Sequence, residues 1–112
     1  MSDCIFCRIV NRDIPAPLIA ENDFAVAFRD LDPKAPTHVL VVPRRHVASL
    51  SDAHDAAELG GLMLLVAEVA RQEGIAESGY RTVLNTGAHG GQSVFHLHAH
   101  VLGGRPMGWP PG

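Results

Sequence analysis

Residues 96–102 read His-Leu-His-Ala-His-Val-Leu, so imidazole and apolar side chains alternate. The histidines are His96, His98 and His100, and the alternating apolar residues are Leu97, Ala99 and Val101. Because successive side chains of a β-strand point to opposite faces, the pattern predicts a strand with one histidine face and one core face. Side chains on one face lie about 6.6–7 Å apart, so three imidazoles can gather around a small anion or a metal ion.

Two ligands suit such a histidine face, a phosphate group or a catalytic zinc ion. A solvent-facing edge strand would explain a single histidine, but three in register favour a site. The preceding residues Gly90-Gly91-Gln92-Ser93 combine glycines, which free backbone N–H groups, with a serine hydroxyl. Both features suit an anion, so the residues favour phosphate over zinc at this face.

Further strands are predicted on the N-terminal side of the histidine strand. Residues 37–42 are rich in β-branched side chains and end at Pro43, which predicts a central strand. Residues 18–21 and 24–29 predict a hairpin, and residues 80–85 predict another strand. Together these segments predict an antiparallel sheet of about five strands.

One long helix is predicted between the central strand and the C-terminal strands. Apolar residues recur at three- and four-residue steps from Ala56 until Gly74 ends the pattern, and Ser51 or Asp52 is the predicted N-cap. The glycine-rich residues 87–91 are predicted to form a loop. With one long helix, one short helix and the sheet, the predicted fold class is α+β.

The short helix is predicted over residues 3–10, with Ser2 or Asp3 as its N-cap. It contains a C-x-x-C pair, Cys4 and Cys7, which precedes any strand that could supply a thioredoxin-like turn. Redox catalysis is therefore not favoured, and a disulfide closing so small a loop would add little stability. A reducing compartment and a metal-binding role both fit this pair.

Length and charge restrict the class of protein. A chain of 112 residues has room for one domain. Its net charge of -3 provides no basic surface for polymeric nucleic acid. The longest apolar stretch, residues 62–70, is too short to span a bilayer, and the N-terminus lacks a secretory pattern. We therefore expect a cytoplasmic protein that binds no membrane.

The pattern of residues 96–102 resembles the signature of the histidine-triad (HIT) family of nucleotide hydrolases and transferases. The resemblance continues in order through Phe28-Arg29-Asp30, Ala35-Pro36-Thr37-His38, Pro43-Arg44-Arg45-His46, Asn85-Thr86-Gly87 and Gly90-Gly91-Gln92-Ser93. The ending Gly-Gly-Arg-Pro-Met-Gly-Trp-Pro-Pro-Gly, residues 103–112, is similar to that of the phosphoramidase branch, the histidine-triad nucleotide-binding proteins.

This resemblance implies a single HIT domain over residues 1–112, with a C-terminal tail at 103–112, and a homodimer whose sheets join. It also implies that purine nucleoside monophosphates, or the corresponding phosphoramidates and adenylates, bind in each subunit. His98 matches the nucleophile, His38 a supporting position and Asp30 the ribose-binding carboxylate. The matching phosphate or leaving-group positions are Asn85, Gln92, Ser93 and His100. The matching base slot is Ile5, Phe6, Ile9, Phe28 and Leu31, residues that sequence alone would assign to the core.

The implied chemistry is physically coherent and requires no cofactor. A neutral imidazole can attack phosphorus if its other ring nitrogen donates to a fixed acceptor such as a backbone carbonyl. Developing charge on the phosphoryl oxygens needs donors, which His100, Asn85, Ser93 and the backbone from Gly91 to Ser93 can supply. An amine leaving group needs a proton, which Ser93 or His100 can relay.

The cysteine pair departs from the phosphoramidase pattern, whereas other family members use such a pair with two histidines to bind zinc. Here the candidate ligands of a structural zinc ion are Cys4, Cys7, His46 and His96. Two buried cysteines that act as small apolar residues are the alternative. His54 and His89 receive no role.

The leading functional hypothesis is hydrolysis of nucleoside phosphoramidates, or of acyl or aminoacyl adenylates, through nucleotidyl-His98. A nucleotide-binding regulatory protein without physiological catalysis is the alternative from another class. Cleavage of dinucleoside polyphosphates is a third hypothesis, against which the Trp-Pro-Pro-Gly ending speaks.

Overall fold

One antiparallel sheet organises residues 3–112, the part of the chain that the computed structural model describes. The strands in chain order are β1 (Leu18–Glu21), β2 (Ala25–Arg29), β3 (Thr37–Pro43), β4 (Tyr80–Val83) and β5 (Ala99–Gly103). Across the sheet the order is β1-β2-β3-β5-β4, and every neighbouring pair is antiparallel. The predicted α+β class, the hairpin and the central strand are confirmed.

The helices are α1 (Ile5–Val10), α2 (Ala56–Gln72) and α3 (Gly87–Gly90), with a 3-10 turn at Leu50–Asp52. No helix among residues 3–112 is both long and apolar enough to cross a membrane. The prediction of a loop over residues 87–91 was wrong, because four of these residues form one helical turn. Gly91, at φ 83°, ends that turn in the left-handed region.

Both helix caps differ from the predicted ones. The N-cap of α1 is Cys4, whose sulfur accepts the Cys7 N–H at 3.4 Å, and not Asp3; Ser2 lies outside the described residues. The N-cap of α2 is Asp55, whose carboxylate accepts the Glu58 N–H at 3.1 Å. Ser51 and Asp52 do not cap α2 because they belong to the preceding 3-10 turn.

The predicted strand over 96–102 begins three residues later, at Ala99. Before that point the Leu97 N–H donates to the Val47 carbonyl at 2.6 Å, beyond the end of β3, so the ladder does not extend further. The alternation nevertheless persists. Leu97, Ala99 and Val101 are buried against α2, whereas the His96 and His98 rings contact Phe6 on the opposite face of the sheet.

Two clusters of apolar side chains cover the two faces of the sheet. The larger one joins α2 to the sheet and contains Ala25, Ala27, Val39, Val41, Leu62, Leu65, Val66, Val69 and Val101, among others. The smaller one joins α1 to the other face and contains Phe6, Ile9, Val26, Phe28, Leu40 and Val42. The histidines lie on the face that α1 covers.

Alanine substitutions at two adjacent glycines in α2 are expected to change stability in opposite directions. A Cβ added at Gly61 would lie 2.5–2.7 Å from three atoms of the Phe24 side chain, including its Cβ, whereas a Cβ at Gly60 meets nothing within 4 Å. We expect Gly61→Ala to lower the free energy of unfolding by about 1–3 kcal/mol, the usual cost of overpacking. Gly60→Ala should raise it by about 0.5–1 kcal/mol through helix propensity. Urea unfolding of both variants measures the two changes in the free energy of unfolding. Changes of the same sign and size would contradict the prediction.

Candidate active site

A cavity of about 620 Å³ lies on the face of the sheet that carries the histidines. Its polar wall includes Asp30, Ser93, His98 and His100. Its apolar wall comes from α1, from the chain before β1, from the strands and from the segments after β2 and before β5. It includes Ile5, Phe6, Ile9, Ile14, Ala16, Phe28, Leu31, Leu40 and Val94. A pocket that is apolar over most of its wall and polar at one side suits a ligand with an aromatic ring and an anionic group.

A hydrogen bond to a backbone carbonyl determines which ring nitrogen of His98 carries a proton. Its Nδ1 lies 2.8 Å from the His96 carbonyl oxygen. Because a carbonyl can only accept, Nδ1 carries the proton and the neutral ring keeps its lone pair on Nε2. His98 is 5% exposed and lines the cavity, and this hydrogen bond selects for its neutral form the tautomer that a nucleophile needs.

A chain of hydrogen bonds assigns the protons of His38 and His100 in the same way. The Lys34 N–H donates to His38 Nδ1 at 3.0 Å, so the neutral His38 carries its proton on Nε2. His38 Nε2 lies 2.9 Å from His100 Nδ1, to which it donates. The proton of neutral His100 is therefore on Nε2, and this nitrogen is a donor. Asp30 Oδ2 lies 3.5 Å from His38 Nε2 at the side of this chain.

The strand register explains why these two rings meet. Leu40 is opposite His100 in the β3–β5 ladder, so His38 lies two residues away along β3 on the same face. Burial, together with the coulombic effects of His98 and His38, lowers the pKa of His100 to about 4, against the opposing effect of Asp30. Burial likewise lowers the pKa of His38, against the opposing effect of Asp30. Both rings are therefore neutral at pH 7, as the hydrogen-bond chain requires.

These pKa values predict how stability depends on pH. Below their ordinary pKa of 6.5, His38 and His100 take up protons in the unfolded chain, whereas folded His100 does so only near pH 4. The contribution of these two histidines to the free energy of unfolding should therefore be complete above pH 6.5 and decrease as the pH drops towards 4. Urea unfolding at pH 7.5 and pH 5 measures this loss. Between these two pH values, the free energy of unfolding of His100→Gln should fall by less than that of the wild type. The control variant His54→Ala, altered at an exposed site, should show the same fall as the wild type. If the fall in His100→Gln equals that of the wild type, His100 is not its source.

A second cluster consists of Cys4, Cys7, His46 and His96, none of which lines the cavity. One ligand atom from each lies within 4.8 Å of all the others. The His96 Nδ1 lies 3.4 Å from the Cys4 sulfur and 3.5 Å from the Cys7 sulfur, and the His46 Nδ1 lies 3.3 Å from the Cys7 sulfur. In a tetrahedral zinc site with Zn–S near 2.3 Å and Zn–N near 2.0 Å, sulfur and nitrogen lie about 3.5 Å apart.

The proton on His96 also suits a metal ligand. His96 is 0% exposed, and its Nε2 donates to the Pro43 carbonyl at 2.9 Å, which leaves the lone pair on Nδ1, beside both sulfurs. The four side chains therefore fit a zinc ion. Asp30, His38 and His100 also place ligand atoms within 4.8 Å of one another. That group fits a metal poorly, because the Lys34 N–H occupies His38 Nδ1 and keeps the proton on Nε2.

Several of the residues predicted for phosphate binding lie outside the cavity wall. Gln92 is buried; its Oε1 accepts the Gly87 N–H at 3.0 Å and its Nε2 donates to the Ala48 and Val94 carbonyls at 2.7 and 3.1 Å. The side chain of Gln92 thus braces the loop that presents Ser93. The other predicted residues that are not part of the cavity wall are Asn85, Gly91 and His38.

Sequence reasoning missed part of the apolar wall. Residues 14–17, Ile-Pro-Ala-Pro, line the cavity together with Ile19, Arg29, Leu40 and Val94. The available signal was an apolar segment between two predicted elements, where its two prolines prevent regular pairing. Leu31, predicted for the base slot, lines the cavity although it is 100% exposed. A fully exposed leucine beside a cavity is available to contact a ligand.

Comparisons with known proteins agree with this architecture. The HIT domain family model matches residues 11–107. An uncharacterized HIT-like protein of Synechococcus elongatus is 53% identical, over 98% of this chain and 97% of its own length. The purine nucleoside phosphoramidase of Escherichia coli K12 is 46% identical, over 95% of this chain and 91% of its own.

Solved structures show the same fold. A HIT family hydrolase from Legionella pneumophila superposes with a TM-score of 0.94 at 44% identity, covering 98% of this chain and 100% of that one. A zinc-bound histidine triad family protein from Mycobacterium smegmatis superposes with a TM-score of 0.79 at 31% identity, covering 92% of this chain and 76% of that one.

Proposed function

Since this chain belongs to the HIT domain family, we propose that it hydrolyses purine nucleoside phosphoramidates, or acyl or aminoacyl adenylates, through a nucleotidyl-His98 intermediate. The observation that carries the proposal is the tautomer of His98, whose Nδ1–H donates to the His96 carbonyl at 2.8 Å. This bond leaves the Nε2 lone pair for attack on phosphorus. The phosphoramidase from Escherichia coli supports the substrate class.

The cavity suggests how the substrate binds. Its apolar wall, with Phe6 and Phe28 among its residues, would bury the flat purine ring. The Asp30 carboxylate lines the same cavity and would accept hydrogen bonds from the ribose hydroxyls. The α-phosphate would then lie beside Ser93, His98 and His100. An apolar slot of this kind holds adenine and guanine alike.

In the first step, His98 Nε2 would attack the α-phosphorus, and the bond from phosphorus to the leaving amine would break. The His100 Nε2–H and the Ser93 hydroxyl would donate to the phosphoryl oxygens as charge develops on them. The departing amine needs a proton, which Ser93 or His100 would relay from solvent, and the attack of water in the second step releases a proton that balances it. Water would then hydrolyse the P–N bond of nucleotidyl-His98, releasing the nucleoside monophosphate and the free histidine.

We assign His38 and Gln92 to positioning. His38 donates to His100 Nδ1 and thereby keeps the His100 proton on the nitrogen that serves as donor. Gln92 braces the loop of Ser93 through three hydrogen bonds. Catalysis would need no cofactor. Zinc would be structural, held by the Cys4, Cys7, His46 and His96 cluster, whose spacing fits a tetrahedral ion.

We also propose that the protein is a homodimer in the cytoplasm. Strand β4 lies at the end of the sheet order and pairs within the chain with β5, so its outer edge can pair with a second copy. A reducing compartment would keep the Cys4 and Cys7 thiols available as ligands.

A comparison of two substrates on one preparation tests the proposed activity. Adenosine 5′-phosphoramidate should be turned over at least about a hundredfold more efficiently than a diadenosine polyphosphate, as kcat/KM. The opposite preference would assign the chain to dinucleoside polyphosphate hydrolysis. Tight binding of adenosine monophosphate with no turnover of either substrate would favour a regulatory nucleotide-binding protein.

A further inference from the structure

Helix α1 contributes to both the cavity and the metal cluster. Its N-cap Cys4 and its residue Cys7 supply two ligands of the cluster, while Ile5, Phe6 and Ile9 line the cavity. The helix has six residues, too few to be stable in isolation. Its position therefore depends on its anchors, which are the buried side chains of Phe6 and Ile9 and the cysteine cluster.

His96 also contributes to both sites. Its side chain belongs to the metal cluster, and its carbonyl oxygen accepts the Nδ1–H of His98. The ring of Phe6 bridges the two, with centroids 5.9 Å from the His96 ring and 5.1 Å from the His98 ring, both edge-on. A displacement of His96 or α1 would therefore move the base slot and the nucleophile together.

A bound zinc ion would restrict these two elements. The four ligands come from three separate segments: α1, the turn after β3 and the residues before β5. Coordination bonds of about 2.0–2.3 Å hold ligands far more narrowly than contacts of sulfur with imidazole. The ion would thus fix α1 against His96 and reduce the ordering that a nucleotide must impose on the cavity when it binds.

We propose that zinc binding at the Cys4, Cys7, His46 and His96 cluster and nucleotide binding in the cavity favour each other. The inference rests on the proposed function, because it takes a purine nucleotide as the cavity ligand. Linkage makes the coupling reciprocal: the factor by which zinc tightens nucleotide binding equals the factor by which the nucleotide tightens zinc binding. We expect a factor of about ten, within the usual range for coupled sites.

Two affinities measured on the wild-type protein test the coupling. Protein purified without chelator should contain one zinc ion per chain by elemental analysis, and a zinc-free preparation would overturn the proposal. Calorimetric titration with adenosine monophosphate should give an affinity about tenfold higher for zinc-loaded than for metal-depleted protein. Equal affinities would overturn the coupling and leave the proposed function intact, whereas no binding to either form would overturn both.

A third measurement does not require the metal-depleted protein to stay folded. Zinc transfer from the loaded protein to a chromogenic chelator should slow about tenfold when adenosine monophosphate saturates the cavity. An unchanged transfer rate would contradict the coupling, whatever the state of the depleted protein.

A matched pair of histidine variants locates the effect. His46 is exposed, contacts Cys7 and His96 and is not part of the cavity wall, so His46→Ala removes a zinc ligand without touching the nucleotide site. Its affinity for adenosine monophosphate should fall to that of the metal-depleted wild type. His54, also exposed, lies outside the cluster, and His54→Ala should keep the zinc response. Equal behaviour of the two variants would overturn the proposal.

Discussion

Replacing His98 with alanine is expected to abolish turnover of adenosine 5′-phosphoramidate, with a loss in kcat of roughly a thousandfold or more. The variant lacks a ring that lines the cavity and whose Nδ1–H donates to a backbone carbonyl, which leaves the lone pair on Nε2. No other histidine among residues 3–112 combines these two features. Binding of adenosine monophosphate should survive within a few fold, because the apolar wall and Asp30 remain.

Two measurements separate loss of the nucleophile from loss of the fold. His98 is buried against Phe6, so thermal unfolding must first show that the variant remains folded at the assay temperature. A rapid acid quench should then trap nucleotidylated protein in the wild type and none in the variant. His89→Ala is the control, since His89 is exposed on α3, and it should retain full activity. Turnover of His98→Ala within tenfold of the wild type would exclude the covalent mechanism.

Replacing His100 with alanine is expected to lower kcat by roughly a hundred- to a thousandfold, the usual effect of removing one donor from a developing oxyanion. The structure places the His100 proton on Nε2, because His38 donates to Nδ1 at 2.9 Å. KM should change less than kcat, since this donor acts mainly on charge that develops in the transition state.

His38 provides a graded test of the same chain. His38→Gln keeps an amide N–H that can donate to His100 Nδ1, whereas His38→Leu removes the donor at similar volume. We expect His38→Gln to retain at least about ten times the kcat of His38→Leu, roughly the value of one hydrogen bond in a buried site. Equal kcat values for the two variants would show that His38 acts on catalysis only through the volume of its side chain and not through a hydrogen bond to His100.

The alternation in residues 96–102 predicted which side chains share a face, although hydrogen bonding in the ladder starts at Ala99. It could do so because side-chain direction is a local property of an extended backbone. The start of the ladder is not local: it depends on Val47, about fifty residues away in the chain, which accepts the Leu97 N–H. The predicted N-caps were wrong for a related reason, since several residues that can accept a backbone N–H precede each helix and the path of the chain selects one of them.

The sequence by itself determined the fold class and the histidine face, because the periodicity of apolar and polar residues is read directly from their spacing. The candidate zinc ligands came from the resemblance of the sequence to the HIT family. Only the tertiary structure decided that Gln92 braces a loop, that residues 14–17 line the cavity and that Lys34 sets the protons of His38 and His100. The structure also places His96 beside the cysteines and His98 and His100 in the cavity wall, a division that the resemblance had implied. The physical reason is that these contacts join segments far apart in the chain, whose distances depend on the packing of α1 and the register of β3 against β5.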